Sequence, residues 1–202
     1  MYNGNMTGGA ARGVEPARKL IHLLSSLIPL GYLWLSLTRR DALALLAILA
    51  SPFLAAEILR PYVPSLNRAF SACFGWAMRG TEQGRRTGAF YAVIGALCTI
   101  LLFDKPVACA ALLILAFGDT AASVVGRVVA GPRLVGEKTL SGSLAMFATG
   151  SLVALPFFPP ALAIGGTLAA TIVELLPLPV DDNLSVPLAA GLTLTLLRPL
   201  AL

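Results

Sequence analysis

The feature that most constrains the fold of this chain is a succession of long apolar runs with few charges inside them. A helix that crosses the hydrocarbon core of a bilayer needs about 20 mostly apolar residues, with about 17 as a lower limit. Seven runs approach or exceed that limit, and the third and sixth are the short ones. They occupy residues 20–37, 42–59, 88–103, 106–130, 140–158, 161–176 and 184–200.

The composition agrees with lipid as the main solvent. Of the 202 residues, 57% are hydrophobic and only 12% are charged, whereas a soluble globular domain carries roughly 25% charged residues. The sequence therefore predicts an all-α, multi-pass integral membrane protein with about seven transmembrane helices. Residues 1–17 form a polar N-terminal tail in this interpretation, and residues 18–202 form a single transmembrane domain.

A different pattern lies between the second and third runs. Apolar side chains recur there at helical spacing, while polar side chains fall elsewhere around the helix. We predict a short amphipathic helix at residues 65–78 that lies in the membrane interface. The alternative is an ordinary helix packed on the bundle. The apolar positions are Leu66, Phe70, Cys73, Phe74 and Ala77.

The basic residues predict the orientation of the chain in the membrane. With the N-terminus in the cytoplasm, all but four of the 15 Lys and Arg residues fall on the cytoplasmic side, as the positive-inside rule requires. Orientation thus explains the net charge of +5, and nucleic acid is not an expected partner. The same face receives the polar segments 18–22, 82–86, 118–143 and 181–187, a one-sided arrangement typical of a membrane enzyme.

An acidic residue lies deep in the fourth run. Asp119 is 13 residues beyond Pro106, roughly 20 Å along a helix that rises about 1.5 Å per residue. An ionisable residue at such depth indicates function by default. Proteins bind Mg²⁺ through one or two carboxylates together with substrate phosphates, so Asp119 is a predicted metal ligand.

Small residues recur every four positions around Asp119, at Gly118, Ala122, Gly126 and Ala130. Such a ladder allows close packing of two helices. A flat helix face also accommodates a nucleotide, and the pattern alone leaves both interpretations open.

A loop rich in Gly, Ser and Thr follows, and Lys138 lies just before the fifth run. Free N–H groups at a helix start attract phosphate, and Lys and Arg side chains add charge. The alternative is a capped helix with a solvated lysine, and the spacing does not match a Walker A loop. The predicted phosphate-binding residues are Gly118, Ser123, Gly126, Arg127, Lys138, Thr139, Ser141, Gly142 and Ser143.

Two acids and an amide precede the last run. Asp182 is predicted as a second metal ligand, and Asp182 or Asn183 as the group that orients a hydroxyl. Helix capping by either residue is the alternative. The predicted catalytic residues are Asp119, Lys138, Asp182 and Asn183.

Other polar residues near the same face have a supporting role in this interpretation. The lone histidine, His22, is expected to be a structural hydrogen-bond partner, and Glu57 with Arg60 is expected to form a local pair. Arg18 and Lys19 complete this supporting group.

Residues 118–127 (Gly-Asp-Thr-Ala-Ala-Ser-Val-Val-Gly-Arg) and 136–143 (Gly-Glu-Lys-Thr-Leu-Ser-Gly-Ser) resemble a superfamily of membrane enzymes. It unites phosphatidate cytidylyltransferases with CTP-dependent lipid-alcohol kinases such as dolichol kinase, phytol kinase and CTP-dependent diacylglycerol kinase. Residues 18–22, 57–60, 87–91 and 182–187 resemble the kinase branch. Ser141 departs from the kinase pattern, which tends to have an acid there. Cytidylyltransferases carry a C-terminal histidine signature, and this chain has no histidine after His22.

The resemblance implies a kinase-like domain that uses CTP and Mg²⁺ to phosphorylate a membrane lipid alcohol. The alcohol would be a polyprenol, a phytol-like isoprenoid or diacylglycerol. The residues alone do not choose CTP over ATP, and they do not indicate an oligomeric state. Two alternatives stay open, namely a cytidylyltransferase that makes a CDP-lipid and a transporter or scaffold without enzymatic activity.

Overall fold

The computed structural model describes residues 19–78, 82 and 85–200, and it is mostly helical, as predicted. The N-terminal tail and Arg18 lie outside the described residues. Residues 19–24 are helical and precede a turn. The further helices and strands are α1 (Leu27–Trp34), α2 (Arg39–Leu59), α3 (Pro64–Phe74), α4 (Gly88–Leu102), α5 (Lys105–Val128), β1 (Arg133–Val135), β2 (Lys138–Thr139), α6 (Leu140–Ala154), α7 (Pro160–Leu175) and α8 (Asp182–Leu197), with 3₁₀ turns at Gly75–Ala77 and Arg198–Leu200.

Helices α2 and α5 are the two within the described part of the chain that are long and apolar enough to cross a membrane. Helices α4, α6, α7 and α8 are apolar but have only 15 or 16 residues. At 1.5 Å per residue these four helices are about 22–24 Å long, shorter than the roughly 30 Å hydrocarbon core. The count of seven spans stays a prediction.

The first apolar run is divided rather than continuous. The residues 19–24 are helical, residues 25 and 26 form a turn, and α1 begins at Leu27. Pro29 explains the division, because it has no N–H to donate to the carbonyl of Ser25. The N–H of Ile28 donates to that oxygen instead, at 3.1 Å.

Helix α5 forms the centre of the bundle. Its residues 107–116 are buried almost without exception, and α6 and α8 pack along it. The two larger core clusters combine α5 with residues of α6, α7 and α8. Residues of α1, α2 and α4 pack on another side of α5 in a third cluster, so α5 is enclosed by helices from both halves of the chain.

The amphipathic helix predicted at residues 65–78 is present as α3 and the following 3₁₀ turn. Phe70 is buried, and its ring centroid lies 6.1 Å from that of Phe53 on α2. The guanidinium of Arg60 lies 4.8 Å from the Phe70 ring centroid. One face of α3 thus packs on the end of α2, while Phe74 and Trp76 stay exposed. The interfacial location of α3 remains a prediction.

A buried ion pair closes the C-terminal end of α2. Arg60 Nε lies 3.3 Å from Glu57 Oε2, and both side chains are fully excluded from solvent. The guanidinium also donates to Asn67 Oδ1 at 3.3 Å, to the carbonyl of Glu82 at 3.2 Å and to the carbonyl of Arg85. One arginine thereby joins α2, α3 and the segment that leads into α4.

Glu57 extends this cluster to the start of α4. Thr87 Oγ1 donates to Glu57 Oε1 at 2.7 Å and accepts the N–H of Phe90 at 3.3 Å, which caps the helix. The N–H of Gly88 donates to Glu82 Oε1 at 3.3 Å. The local pair expected for Glu57 and Arg60 is therefore the core of a larger network that positions α4.

The contact between α4 and α8 requires a glycine. A Cβ atom at Gly95 would lie 2.3 Å from the carbonyl oxygen of Asn183, a distance that backbone atoms do not tolerate. Pro187 has no N–H to donate to that same oxygen. Because Gly95 has no side chain, the backbone of α4 packs directly on the first turn of α8.

We predict that Arg60→Met lowers the free energy of unfolding by about 3–5 kcal/mol, since it leaves the Glu57 charge buried without its partner. The measurement is denaturant unfolding in detergent, followed by circular dichroism. Arg68→Met is the matched control, because Arg68 is exposed on α3. Equal losses in the two variants would contradict the buried-pair interpretation.

We predict that Gly95→Ala lowers the free energy of unfolding by about 1–3 kcal/mol, the usual cost of overpacking. Gly31→Ala is the control, because a Cβ at Gly31 meets nothing within 4 Å. That variant should be neutral or stabilising by up to about 1 kcal/mol, since alanine favours a helix more than glycine does. Similar behaviour of the two variants would show that α4 and α8 are not in close contact.

Candidate active site

A cavity of about 760 Å³ lies between the C-terminal part of α5, the β1–β2 hairpin and the start of α6. It brings together most of the residues predicted to bind phosphate. Glu174 of α7 also contributes to its wall. The predicted site residues that line it are Asp119, Ser123, Gly126, Arg127, Lys138, Thr139, Gly142 and Ser143.

Small residues bring α5 and α6 together at the base of this cavity. A Cβ at Gly142 would lie 2.8 Å from the carbonyl oxygen of Ala122, and one at Gly126 would lie 2.8 Å from Thr139 Oγ1. Gly118 contacts Met146 in the same way and lies outside the cavity lining. The ladder therefore packs α5 against α6. Ala122, Gly126 and Gly142 also line the cavity, and a nucleotide on this face stays a prediction.

The β1–β2 hairpin carries the basic residues to the cavity. Its strands are antiparallel, and Gly136 has a φ of 55°, a left-handed conformation that favours glycine. The hairpin places Arg133 and Lys138 on the cavity wall. The loop predicted from the sequence is thus a short hairpin that runs directly into α6.

Some of the backbone N–H groups that were predicted to bind phosphate at the start of α6 already donate hydrogen bonds within the protein. The N–H of Leu140 donates to the carbonyl of Pro132 at 2.9 Å, and the N–H of Gly142 donates to Thr139 Oγ1 at 3.2 Å. Ser141 Oγ donates to the carbonyl of Val129 at 3.0 Å, and Ser141 does not line the cavity. These groups hold the hairpin against α5, so side chains supply most of the charge that faces the cavity.

Lys138 lies between two acids from different helices. Its Nζ is 3.1 Å from Glu174 Oε1 and 3.1 Å from Asp182 Oδ2, and it also donates to the main-chain oxygen of Glu174. Burial lowers the pKa of Lys138, but the two carboxylates outweigh burial and raise it above its ordinary value. Lys138 is therefore a cation at neutral pH.

Glu174 is the site residue that the sequence interpretation missed. Its side chain is 9% exposed, and it occupies the last turn of α7, where the helix dipole disfavours an acid. The available signal was an ionisable residue inside an apolar run, the same signal that identified Asp119. Its position implies a cationic partner, and Lys138 is that partner.

Asp119 faces the cavity rather than the apolar core, and its side chain is 37% exposed. His22 Nε2 lies 3.5 Å from Asp119 Oδ2 and 3.3 Å from the carbonyl of Leu115. The helical residues 19–24 thereby contact α5 next to the cavity. Lys19 also belongs to these helical residues.

The three polar residues at the start of α8 have separate roles. Asp181 is the N-cap, because its Oδ1 accepts the N–H of Asn183 at 3.0 Å. The alternative that Asp182 or Asn183 caps the helix is therefore wrong. Asn183 Nδ2 donates to Asp181 Oδ1 at 2.7 Å and to the carbonyl of Gly88 at 3.3 Å. The Asp182 carboxylate pairs with Lys138, whereas the Asn183 amide joins α8 to α4.

The described residues include no group of three His, Cys, Asp or Glu side chains close enough to hold a metal ion. Asp119 contacts His22, and Asp182 contacts Lys138. A metal at this site would therefore take only part of its coordination from protein. That donor set fits Mg²⁺, which keeps few protein carboxylates and completes its shell with substrate phosphates and water. Glu57 and Arg60 do not line the cavity.

Comparisons with known proteins identify relatives along most of the chain. A protein of Triticum aestivum named "Probable phytol kinase, chloroplastic" is 32% identical over 206 residues, which cover 90% of this chain and 67% of the relative. "Probable phytol kinase 1, chloroplastic" of Oryza sativa subsp. japonica is 31% identical over 202 residues, which cover 90% of this chain and 64% of the relative. No family model and no solved structure matches the chain.

A second group of relatives matches half of the chain. "CTP-dependent diacylglycerol kinase 1" of Eremothecium gossypii is 33% identical over 104 residues, which cover 50% of this chain and 33% of the relative. The chain thus spans between a third and about two thirds of the length of these relatives. The family resemblance indicated by residues 118–143 is confirmed, and the chain belongs to the family of lipid-alcohol kinases that includes the phytol kinases and the CTP-dependent diacylglycerol kinases.

Proposed function

We propose that this protein transfers the γ-phosphate of CTP to the hydroxyl group of a membrane lipid alcohol. The acceptor class is a polyprenol, a phytol-like isoprenoid or diacylglycerol. The observation that carries the proposal is the 760 Å³ cavity, where Arg127, Lys138 and Asp119 face one space. The names of the relatives, which include phytol and CTP-dependent diacylglycerol kinases, support both the acceptor class and the donor.

The proposal includes a multi-pass membrane location with the N-terminus and the active site in the cytoplasm. Large apolar side chains on the outer faces of the helices support the membrane location, since Ile48, Leu49, Leu152 and Leu196 are each more than 60% exposed. Lipid solvates such surfaces better than water does. The shorter helices would be matched by local thinning of the bilayer.

In this proposal the phosphates of CTP lie against the hairpin and the start of α6. Lys138 places a point charge beside the γ-phosphate, and Arg127 supplies forked donors. The hydroxyls of Ser123 and Thr139 line the same space. Phosphoryl transfer needs positioning and charge neutralisation more than covalent help from the protein, and these side chains provide both.

Asp119 would hold Mg²⁺, whereas Asp182, the other predicted metal ligand, contacts Lys138 and lies outside the lining of this cavity. The ion, when bound, neutralises phosphate charge and orients the phosphates. Glu174 holds Lys138 from one side and Asp182 holds it from the other. The lysine therefore stays at the cavity wall instead of extending into solvent.

The acceptor hydroxyl is assigned to Asp182 rather than Asn183. The Asn183 amide already bonds to Gly88 and Asp181, whereas Asp182 lies within 3.1 Å of the Lys138 ammonium. The alcohol oxygen forms a bond to the γ-phosphorus as the bond from that phosphorus to the bridging oxygen breaks. CDP leaves with the electron pair, and the hydroxyl proton passes to the Asp182 carboxylate.

We predict that Lys138→Ala lowers kcat/KM for CTP by about 100-fold or more, the usual effect of removing a group that stabilises transition-state charge. The assay follows label from γ-labelled CTP into the lipid phase of liposomes that contain the purified protein and a panel of lipid alcohols. Arg40→Ala is the control, because Arg40 is an exposed cation at the start of α2, and it should retain activity.

Two outcomes of that assay would contradict the proposal. Release of pyrophosphate with formation of a CDP-lipid from phosphatidate would identify a cytidylyltransferase, in which the α-phosphorus is attacked. Absence of transfer from any nucleotide to any lipid would favour a transporter or scaffold.

We predict that chelation of divalent cations abolishes transfer and that added Mg²⁺ restores it. The Mg²⁺ concentration for half-maximal activity should rise about tenfold or more in Asp119→Asn, the usual cost of losing a metal-site contact. Asp41→Asn is the control, because Asp41 is an exposed residue of a helix capping box. An unchanged Mg²⁺ requirement in Asp119→Asn would remove Asp119 from the metal site.

A further inference from the structure

A second, open cavity of about 390 Å³ adjoins the same lysine. It is lined by Tyr91 of α4, by Lys138 of β2, and by residues 176–182, which connect α7 to α8 and begin α8. Lys138 is the residue common to the linings of the two cavities. The proposed nucleotide site and this second cavity therefore share a wall.

The loop along the second cavity is apolar and has few hydrogen-bond donors. Residues 176–180 read Leu-Pro-Leu-Pro-Val, and the two prolines have no N–H to satisfy. The side chains of Leu176, Leu178 and Val180 are each 42–44% exposed. A backbone with so few free donors suits contact with lipid, where an unsatisfied polar group is costly.

The lining of this cavity also includes polar side chains. Asp182 Oδ2 lies 3.1 Å from Lys138 Nζ, and the phenol of Tyr91 belongs to the same lining. A ligand complementary to the whole lining has one small polar end and an apolar body. A lipid alcohol has that chemistry, whereas a nucleotide does not.

We propose that the second cavity is the binding site of the acceptor alcohol. This inference rests on the proposed function. The hydroxyl lies against Asp182 and Lys138, the chain runs along Leu176–Val180, and Tyr91 contacts the part of the alcohol next to the hydroxyl. Donor and acceptor then approach the Lys138 ammonium from two cavities, and the γ-phosphate meets the hydroxyl there.

Electrostatics favours the nucleotide in the larger cavity. Its lining has three cations, Arg127, Arg133 and Lys138, which balance its three acids, Asp119, Glu137 and Glu174, and cations attract a triphosphate. The smaller one has Lys138 as its cation, and two acids, Asp181 and Asp182, lie beside it. A triphosphate is repelled from that second lining, and a neutral alcohol is not.

The first test does not depend on turnover. A long-chain primary alcohol with a diazirine next to its hydroxyl is photolysed in liposomes with the whole protein, and labelled peptides are identified by mass spectrometry. We expect label at Tyr91 or within residues 176–182 that unmodified alcohol displaces and that CTP, added without divalent cations to prevent turnover, does not. Label confined to other helices, or label in the second cavity that CTP displaces, would overturn the inference.

The second test separates the two cavities by kinetics. Leu178→Ser should raise KM for the alcohol about tenfold, since one apolar contact is worth about 10–200-fold in discrimination, and KM for CTP should stay the same. Arg133→Ala should raise KM for CTP only. Leu192→Ser, at an exposed leucine of α8 that lines neither cavity, should change neither constant.

The outcomes distinguish the inference from the proposed function. If CTP phosphorylates an alcohol but Leu178→Ser leaves its KM unchanged, the acceptor site is elsewhere and the kinase assignment stands. If no alcohol is phosphorylated, the kinase assignment fails, and the photolabelling pattern alone decides whether the second cavity binds an amphiphile.

Discussion

The ammonium group of Lys138 lies 3.1 Å from carboxylates on two helices, Glu174 on α7 and Asp182 on α8. The hairpin and the two consecutive helices α7 and α8 meet at this single positive charge, although Lys138 and Glu174 are 36 positions apart. Without the lysine, two partly buried acids would repel each other, and without the acids a half-buried cation would lack partners. The contact that joins the hairpin to α7 and α8 therefore also lies at the candidate site. In the proposed function, folding and chemistry depend on the same charge balance.

The rest of the fold holds this centre in place from both sides. Small residues let α5 and α6 approach closely, which brings Asp119 and the hairpin to one cavity. On the other side, the buried pair of Glu57 and Arg60 fixes the start of α4, and the Asn183 amide joins α4 to α8. Residues that line neither cavity thus have a structural role, because they position the helices that carry the proposed site residues.

Local sequence patterns predicted the helices and the main cavity lining well, because residues 118–127 and 131–143 are neighbours in the chain as well as in space. Contacts between segments that are distant in the sequence could not be predicted from these local patterns. Glu174 is 36 positions from Lys138, and Asp181 and Asp182 look alike in sequence, although one caps a helix and the other contacts the lysine. The break before α1 depends on Pro29, whose effect on the backbone a hydropathy average over the run does not register. Helix length alone does not determine how many helices cross the bilayer.

The most direct measurement is a crystal structure of the protein in lipid with Mg²⁺ and a CTP analogue whose β,γ-bridge is a methylene group. The expected result is a nucleotide in the cavity between α5 and the hairpin, with its γ-phosphate within hydrogen-bond distance of Lys138 Nζ and its metal on Asp119. A nucleotide bound elsewhere, with Lys138 still held only by Glu174 and Asp182, would contradict the assignment of this cavity as a nucleotide site.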